Sequence, residues 1–190
     1  MTALDRSISD IVLIVDDVPE NLALLHDALD EAGHTVLVAT DGETALQRAR
    51  QSLPDVILLD AVMPGLDGFE VARRLTQDAP AIGILMITMH DSADYLRSAI
   101  AAGARGFLAK DAARAEVLGA LAQVVAGGVA FPPTLMRRAV ADNSTGPVLA
   151  AIKRLTPRER EVLADVRHSS GTSCLQVSST GATQVSTTGA

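Results

Sequence analysis

The chain has no tryptophan, one tyrosine and three phenylalanines in 190 residues. With so few rings, any core must be built from Leu, Val, Ile and Ala, and a 48% hydrophobic fraction supplies enough of them. Cysteine is nearly absent as well. Cys174 alone cannot form an internal disulfide, which fits a reducing, cytoplasmic setting. No apolar run approaches the roughly 20 residues that span a bilayer, so no membrane role is expected. No basic stretch leads into a long apolar one near residue 1, and no signal peptide is expected. Positive charge is scarce where the chain is richest in pattern. Residues 1–127 hold 9 Lys/Arg against 19 Asp/Glu, a net −10 that makes a poor polyanion binder. Residues 128–167 hold 7 against 4, a mild +3 that is weak ground for a nucleic-acid contact. Residues 168–190 hold no Lys, Arg, Asp or Glu at all.

What is present is a repeating alternation. Five short apolar runs, IVLIV (11–15), TVLVA (35–39), VILLD (56–60), IGILMIT (82–88) and GFLAK (106–110), read as buried strands. Between and after them lie amphipathic patterns near 19–32, 41–53, 67–76, 92–102 and 112–126. Pro19 suits a first helical turn, Asp41 a helix cap, and Gly33 a helix stop. Strands alternating with helices predict a parallel sheet covered on both faces. The expected fold is α/β, a flavodoxin-like, doubly wound, five-stranded parallel sheet.

In such sheets ligands bind beyond the carboxyl ends of the strands. Asp16, Asp17, Asp60, Thr88 and Lys110 all stand at predicted strand ends. They converge on one edge if the first, third, fourth and fifth strands are neighbours. Clustered carboxylates repel, by roughly 4 kcal/mol for two charges about 4 Å apart at an effective dielectric of 20. A divalent cation relieves this, and hard oxygen ligands with room for water suit Mg²⁺. Asp60 then has the chemistry of a nucleophile toward phosphorus. Thr88 offers a hydroxyl and Lys110 a compact positive charge for phosphoryl oxygens.

Residues from about 10 to 127 resemble the receiver domain of bacterial response regulators. The matching features are Asp16-Asp17, Asp60, MPGLDG (63–68), Thr88, and Lys110 within GARGFLAKD (103–111). The resemblance implies that Asp60 is phosphorylated by a sensor histidine kinase or phosphotransfer protein. It implies Mg²⁺ held by Asp17, Asp60 and the Val62 carbonyl, with Asp16 acting through water. It also implies a switch pair, Thr88 and Phe107, in which the ring fills space that the threonine leaves. No separate substrate is turned over; the only reactions implied are self-phosphorylation and self-dephosphorylation at Asp60. Three positions depart from the family. Met89 stands where a small residue is usual and is expected to restrict access to Asp60. Phe107 lacks a tyrosine's hydroxyl, and Asp111 replaces a common proline.

LTPREREVLADV (155–166) resembles the opening of the LuxR-type helix-turn-helix, but no recognition helix can be read after it. The expectation is a truncated or frameshifted descendant of a DNA-binding regulator, with DNA binding doubtful and a phosphorylation-dependent homodimer kept open. The expected organisation is a receiver at 8–127, a helical linker at 128–150, an incomplete helix-turn-helix start at 151–167, and a disordered Ser/Thr/Gly-rich tail at 168–190. The rival reading is a haloacid dehalogenase-like phosphatase with Asp60 as nucleophile. It wants an acid two residues on, where this chain has Val62. A nucleotide-binding module of the same fold is a weaker rival, because no Gly-rich phosphate loop follows the first strand.

Overall fold

The β-branched and leucine-rich runs become strands because both of their faces find apolar cover. In the computed structural model, which describes residues 9–141, the strands are β1 (Ile11–Val15), β2 (Thr35–Ala39), β3 (Val56–Asp60), β4 (Gly83–Thr88) and β5 (Gly106–Ala109). They form one parallel sheet in the order β2-β1-β3-β4-β5. The helices are α1 (Pro19–Asp30), α2 (Gly42–Ser52), α3 (Gly68–Asp78), α4 (Ala93–Ala101), α5 (Arg114–Val125) and α6 (Pro133–Ala141). The five expected strands and five expected helices are all present, with ends shifted by a residue or two. The expected helix-turn-helix start at 151–167, the tail at 168–190 and linker residues 142–150 lie outside the described residues. Among those described, no helix is long and apolar enough to cross a membrane.

The period of two along each strand divides the core. Leu13, Val15, Ile57, Leu59, Ile84, Met86 and Phe107 face one way, against α2, α3, α4 and α6. Val12, Ile14, Val56, Leu58, Leu85, Ile87 and Leu108 face the other way, against α1 and α5. A sheet buried on both faces explains why its strands read as unbroken apolar runs rather than as alternation.

The helical piece expected as linker is present as α6, but it is not free of the domain. Leu135, Met136 and Ala139 are buried in the same cluster as Phe107, Leu96 and Ile100. Just before it, Ala130 pairs with Gly106 as a parallel bridge. The Phe107 N–H donates to the Ala130 carbonyl at 2.9 Å, and the Ala130 N–H to the Arg105 carbonyl at 2.8 Å. Pro132 and Pro133 separate this stretch from α5. Its apolar residues nevertheless give it a seat on α4 and on the open edge of β5.

The loop from β3 to α3 shows how local chemistry sets the site. Asp67 caps α3, its carboxylate accepting from the Glu70 N–H at 2.8 Å. Gly65 takes a positive φ of 79°. Gly68 lies so close to the end of β3 that a Cβ there would sit 2.0 Å from the Asp60 carbonyl oxygen. Backbone cannot yield cheaply to such an intrusion. Gly68→Ala is therefore expected to cost about 2–3 kcal/mol. In urea unfolding the midpoint should fall with an unchanged slope; a wild-type midpoint would contradict the close approach.

Candidate functional site at the carboxyl edge of the sheet

Parity along the strands decides which side chains meet. Asp16 continues the Val12, Ile14 series, Asp60 the Val56, Leu58 series, and Lys110 follows Leu108 by two. All three therefore project on the α1/α5 side. The ladder runs on past the strand ends to hold them, with the Asp16 N–H donating to the Ala39 carbonyl and the Lys110 N–H to the Thr88 carbonyl. Thr88 follows Ile84 and Met86 and belongs to the other side.

Lys110 Nζ lies 2.7 Å from Asp60 Oδ2 and 2.8 Å from Asp16 Oδ2. Asp16 and Asp60 are only 2% and 4% exposed. Asp17 is exposed and has no protein hydrogen-bond or ion-pair partner among the described residues. One oxygen from each of Asp16, Asp17 and Asp60 can be chosen so that all three lie within 4.8 Å of one another. Burial pushes the Asp60 carboxyl above the usual carboxylate range, against the hydrogen bond from Lys110 and the one from the Val62 N–H. Burial acts to lower Lys110, but its hydrogen bonds to Asp16 and Asp60 outweigh this and hold the ammonium above the usual lysine value. The two directions agree physically. The ammonium has two carboxylate partners, whereas the buried Asp60 carboxylate has one ammonium that it shares with Asp16.

Asp60 Oδ1 accepts from the Val62 N–H at 3.2 Å. With one partner on each oxygen among the described residues, Asp60 keeps lone pairs to spare. Hard oxygen donors, one of them solvent-facing, fit Mg²⁺ better than a soft-ligand metal.

Thr88 is fully buried, and its Oγ1 accepts from the His90 N–H at 3.1 Å, tying it to the loop before α4 and not to Asp60. Its neighbour on β5 is Ala109, and Phe107 pairs with Met86. Thr88 and Phe107 thus lie on one face of adjacent strands, one step apart on the diagonal. Phe107 is already fully buried, so any repacking by it takes place within the core. Met89 is 74% exposed and is not packed down as a lid. The Val62 side chain is 52% exposed, and the His90 ring lies against Tyr95 with centroids 4.7 Å apart.

Sequence reasoning passed over Asn21. Its amide nitrogen donates to both oxygens of Asp16, at 3.1 Å each. The available signal was spacing alone: five residues after Asp16, the first turn of α1 folds back over the strand end.

The profile of the response regulator receiver domain matches residues 12–122. The transcriptional regulatory protein MctR of Rhizobium johnstonii is 34% identical over 158 residues, covering 80% of this chain and 70% of that protein. The protein PilH of Pseudomonas aeruginosa is 40% identical over 118 residues, covering 61% of this chain and 98% of PilH. A crystal structure of a LuxR-family two-component response regulator from an Aurantimonas species superposes with a TM-score of 0.63 at 27% identity. It covers 72% of this chain and 99% of that one. The phosphatase rival finds no support in these matches. A carboxylate edge built by parity, on a five-stranded sheet whose relatives are regulators, identifies the chain as a two-component response regulator that belongs to the receiver-domain family.

Proposed function

We propose that Asp60 accepts a phosphoryl group from a phosphohistidine on a sensor kinase or phosphotransfer protein. The observation that carries this reading is the buried Asp60 carboxylate, bonded to Lys110 and clustered with Asp16 and Asp17. An Asp60 oxygen attacks phosphorus; the new P–O bond forms as the P–N bond to the imidazole breaks, and the imidazole leaves with the electron pair. Lys110, now shared between Asp60 and Asp16, follows the charge onto a phosphoryl oxygen. The Thr88 hydroxyl turns from the His90 N–H to donate to another. Thr88 and Phe107 then bias a two-state equilibrium that reaches α4 and α6 through their shared core. Return to the starting state needs a water in line with the P–O bond, releasing inorganic phosphate and restoring the carboxylate.

Asp17, Asp60 and the Val62 carbonyl would hold Mg²⁺, with Asp16 acting through water. When bound, the ion screens repulsion between these acids and the incoming phosphoryl oxygens. We place the receiver within residues 8–127 and extend it functionally by the seat of α6. Transcriptional control is the output we infer for the lineage, since relatives such as MctR carry that description and residues 155–166 resemble a helix-turn-helix opening. The chain acts by accepting phosphate and by protein contacts, including phosphorylation-dependent pairing of two copies, in a cytoplasmic setting.

Incubation with acetyl phosphate and Mg²⁺ should add one phosphoryl mass to the wild type and none to Asp60→Asn, read by intact mass. Uptake by Asp60→Asn at the wild-type level would move the site elsewhere.

Magnesium binding to the folded state alone should raise the thermal midpoint, by about 2.7 kcal/mol of stability at 100 times Kd. Asp17→Ala should lose more of that rise than Asp16→Ala, because only Asp17 is assigned direct contact; equal losses would contradict the assignment.

Val62 cannot orient a water and stands beside the phosphoacceptor. Val62→Asn, which supplies an amide, should speed first-order decay of the phosphorylated protein after the donor is removed at constant Mg²⁺. His90→Ala should change the rate less. Decay of Val62→Asn no faster than wild type would show that this position does not control the water.

A further inference from the structure

Asp16 is more heavily bonded than the other acids of the edge. Its Oδ1 accepts from the Val18 N–H at 2.9 Å and from Asn21 Nδ2 at 3.1 Å. Its Oδ2 accepts from Asn21 Nδ2 at 3.1 Å and contacts Lys110 Nζ at 2.8 Å. A carboxylate offers about four lone-pair directions, and here three protein donors, the Val18 N–H, Asn21 Nδ2 and Lys110 Nζ, engage both oxygens and leave room for no more than a water. Among the described residues Asp17 has no hydrogen-bond or ion-pair partner, and Asp60 retains free directions. Asp16 is thus committed to the protein, and the group that commits it is on α1.

Asn21 is half-buried and sits in the first turn of α1, whose backbone is closed by the Asn21 and Leu22 N–H groups donating to the Val18 carbonyl. The amide therefore approaches Asp16 from a fixed platform. Without it, Asp16 would be short of donors in a buried place. Its carboxylate would turn toward whatever positive charge lay near, drawing Lys110 away from Asp60 or facing a cation itself.

We propose that Asn21 is a positioning residue for phosphoryl uptake: it holds Asp16 aimed at Lys110, and through Lys110 sets the acceptor oxygen of Asp60. The chain of contacts is Asn21 to Asp16, Asp16 to Lys110, Lys110 to Asp60, each within 3.1 Å. This rests on the reading of Asp60 as phosphoacceptor. It goes beyond that reading by assigning a role to a residue that touches neither phosphorus nor metal. The plain alternative is that Asn21 only satisfies a buried acid and supports the fold.

The two are separated by measuring uptake and metal binding on the same variants. Wild type, Asn21→Ala and Asn21→Ser are incubated with acetyl phosphate at saturating Mg²⁺, and uptake rates are taken across donor concentrations by intact mass. In Asn21→Ala the limiting rate should fall about tenfold, with the half-saturating donor concentration within about twofold of wild type. Asn21→Ser keeps one donor and should fall between the two. Mg²⁺ alone, titrated by calorimetry, should bind Asn21→Ala no more weakly than wild type, because the freed lone pairs of Asp16 face the site. An unchanged limiting rate in both variants overturns the proposal, as does a rate loss matched by an equal loss of Mg²⁺ affinity. If Asn21→Ala does not fold, the same comparison is read from Asn21→Ser. Wild type that takes up no phosphoryl group defeats the reading of Asp60, and this assignment with it. Wild-type uptake equalled by both variants defeats this assignment alone.

Discussion

One ammonium between two buried carboxylates governs this molecule. Taking charges out of water costs several kcal/mol per ion even after relaxation, and only close, well-bonded partners offset it. Lys110 supplies that partner to Asp16 and Asp60 together. The strand order makes its length necessary. Neighbouring strands lie about 4.8 Å apart, so an acid on β3 is roughly 10 Å from the backbone of β5. A four-carbon stem crosses the end of β4 and arrives with a compact charge. The edge is therefore held short of neutrality, with two buried acids and an exposed third against one lysine. It is ready for further positive charge.

The apolar parts of the fold exist to make that edge rigid. Every residue of β3 and β4 is buried, and the two faces of the sheet are packed by different helices. Since side chains alternate along a strand, a shift of one residue in β1 or β3 would carry Asp16 or Asp60 to the opposite face. Position along the strand and chemistry at its end are thus one specification. Gly68 adds a second constraint, letting the start of α3 press against the backbone of Asp60.

Much of this was legible before any coordinates. The apolar runs, the caps and Gly33 place the strands and helices because period and turn chemistry are local. The acids and Lys110 could be grouped because parallel sheets present all their carboxyl ends at one edge. Asp41 behaves as its position suggested, accepting from the Thr44 N–H at 2.8 Å. Other features depend on tertiary distance. Asn21 looks like any polar residue of an exposed helix start, and only the path of the chain between β1 and α1 brings it onto Asp16. The orientation of Thr88 toward His90 is a choice between two hydrogen-bond partners, which sequence does not decide. The seat of α6 was hidden for a similar reason: prolines announce a break in helix, but not where the chain goes after it.

That seat bears on where the domain can be cut. Parallel sheets expose their edge strands to pairing with other chains unless something covers them. Here the residue that bonds the outer edge of β5 is Ala130, and the plug over α4 is Leu135, Met136 and Ala139. A fragment ending at Gly127, where the receiver pattern stops, would uncover both at once. It would present bare backbone donors and acceptors beside an apolar patch, the combination that favours self-association. The unit suited to isolation therefore runs to at least residue 141, and the piece that reads as a connector serves the sheet as its border.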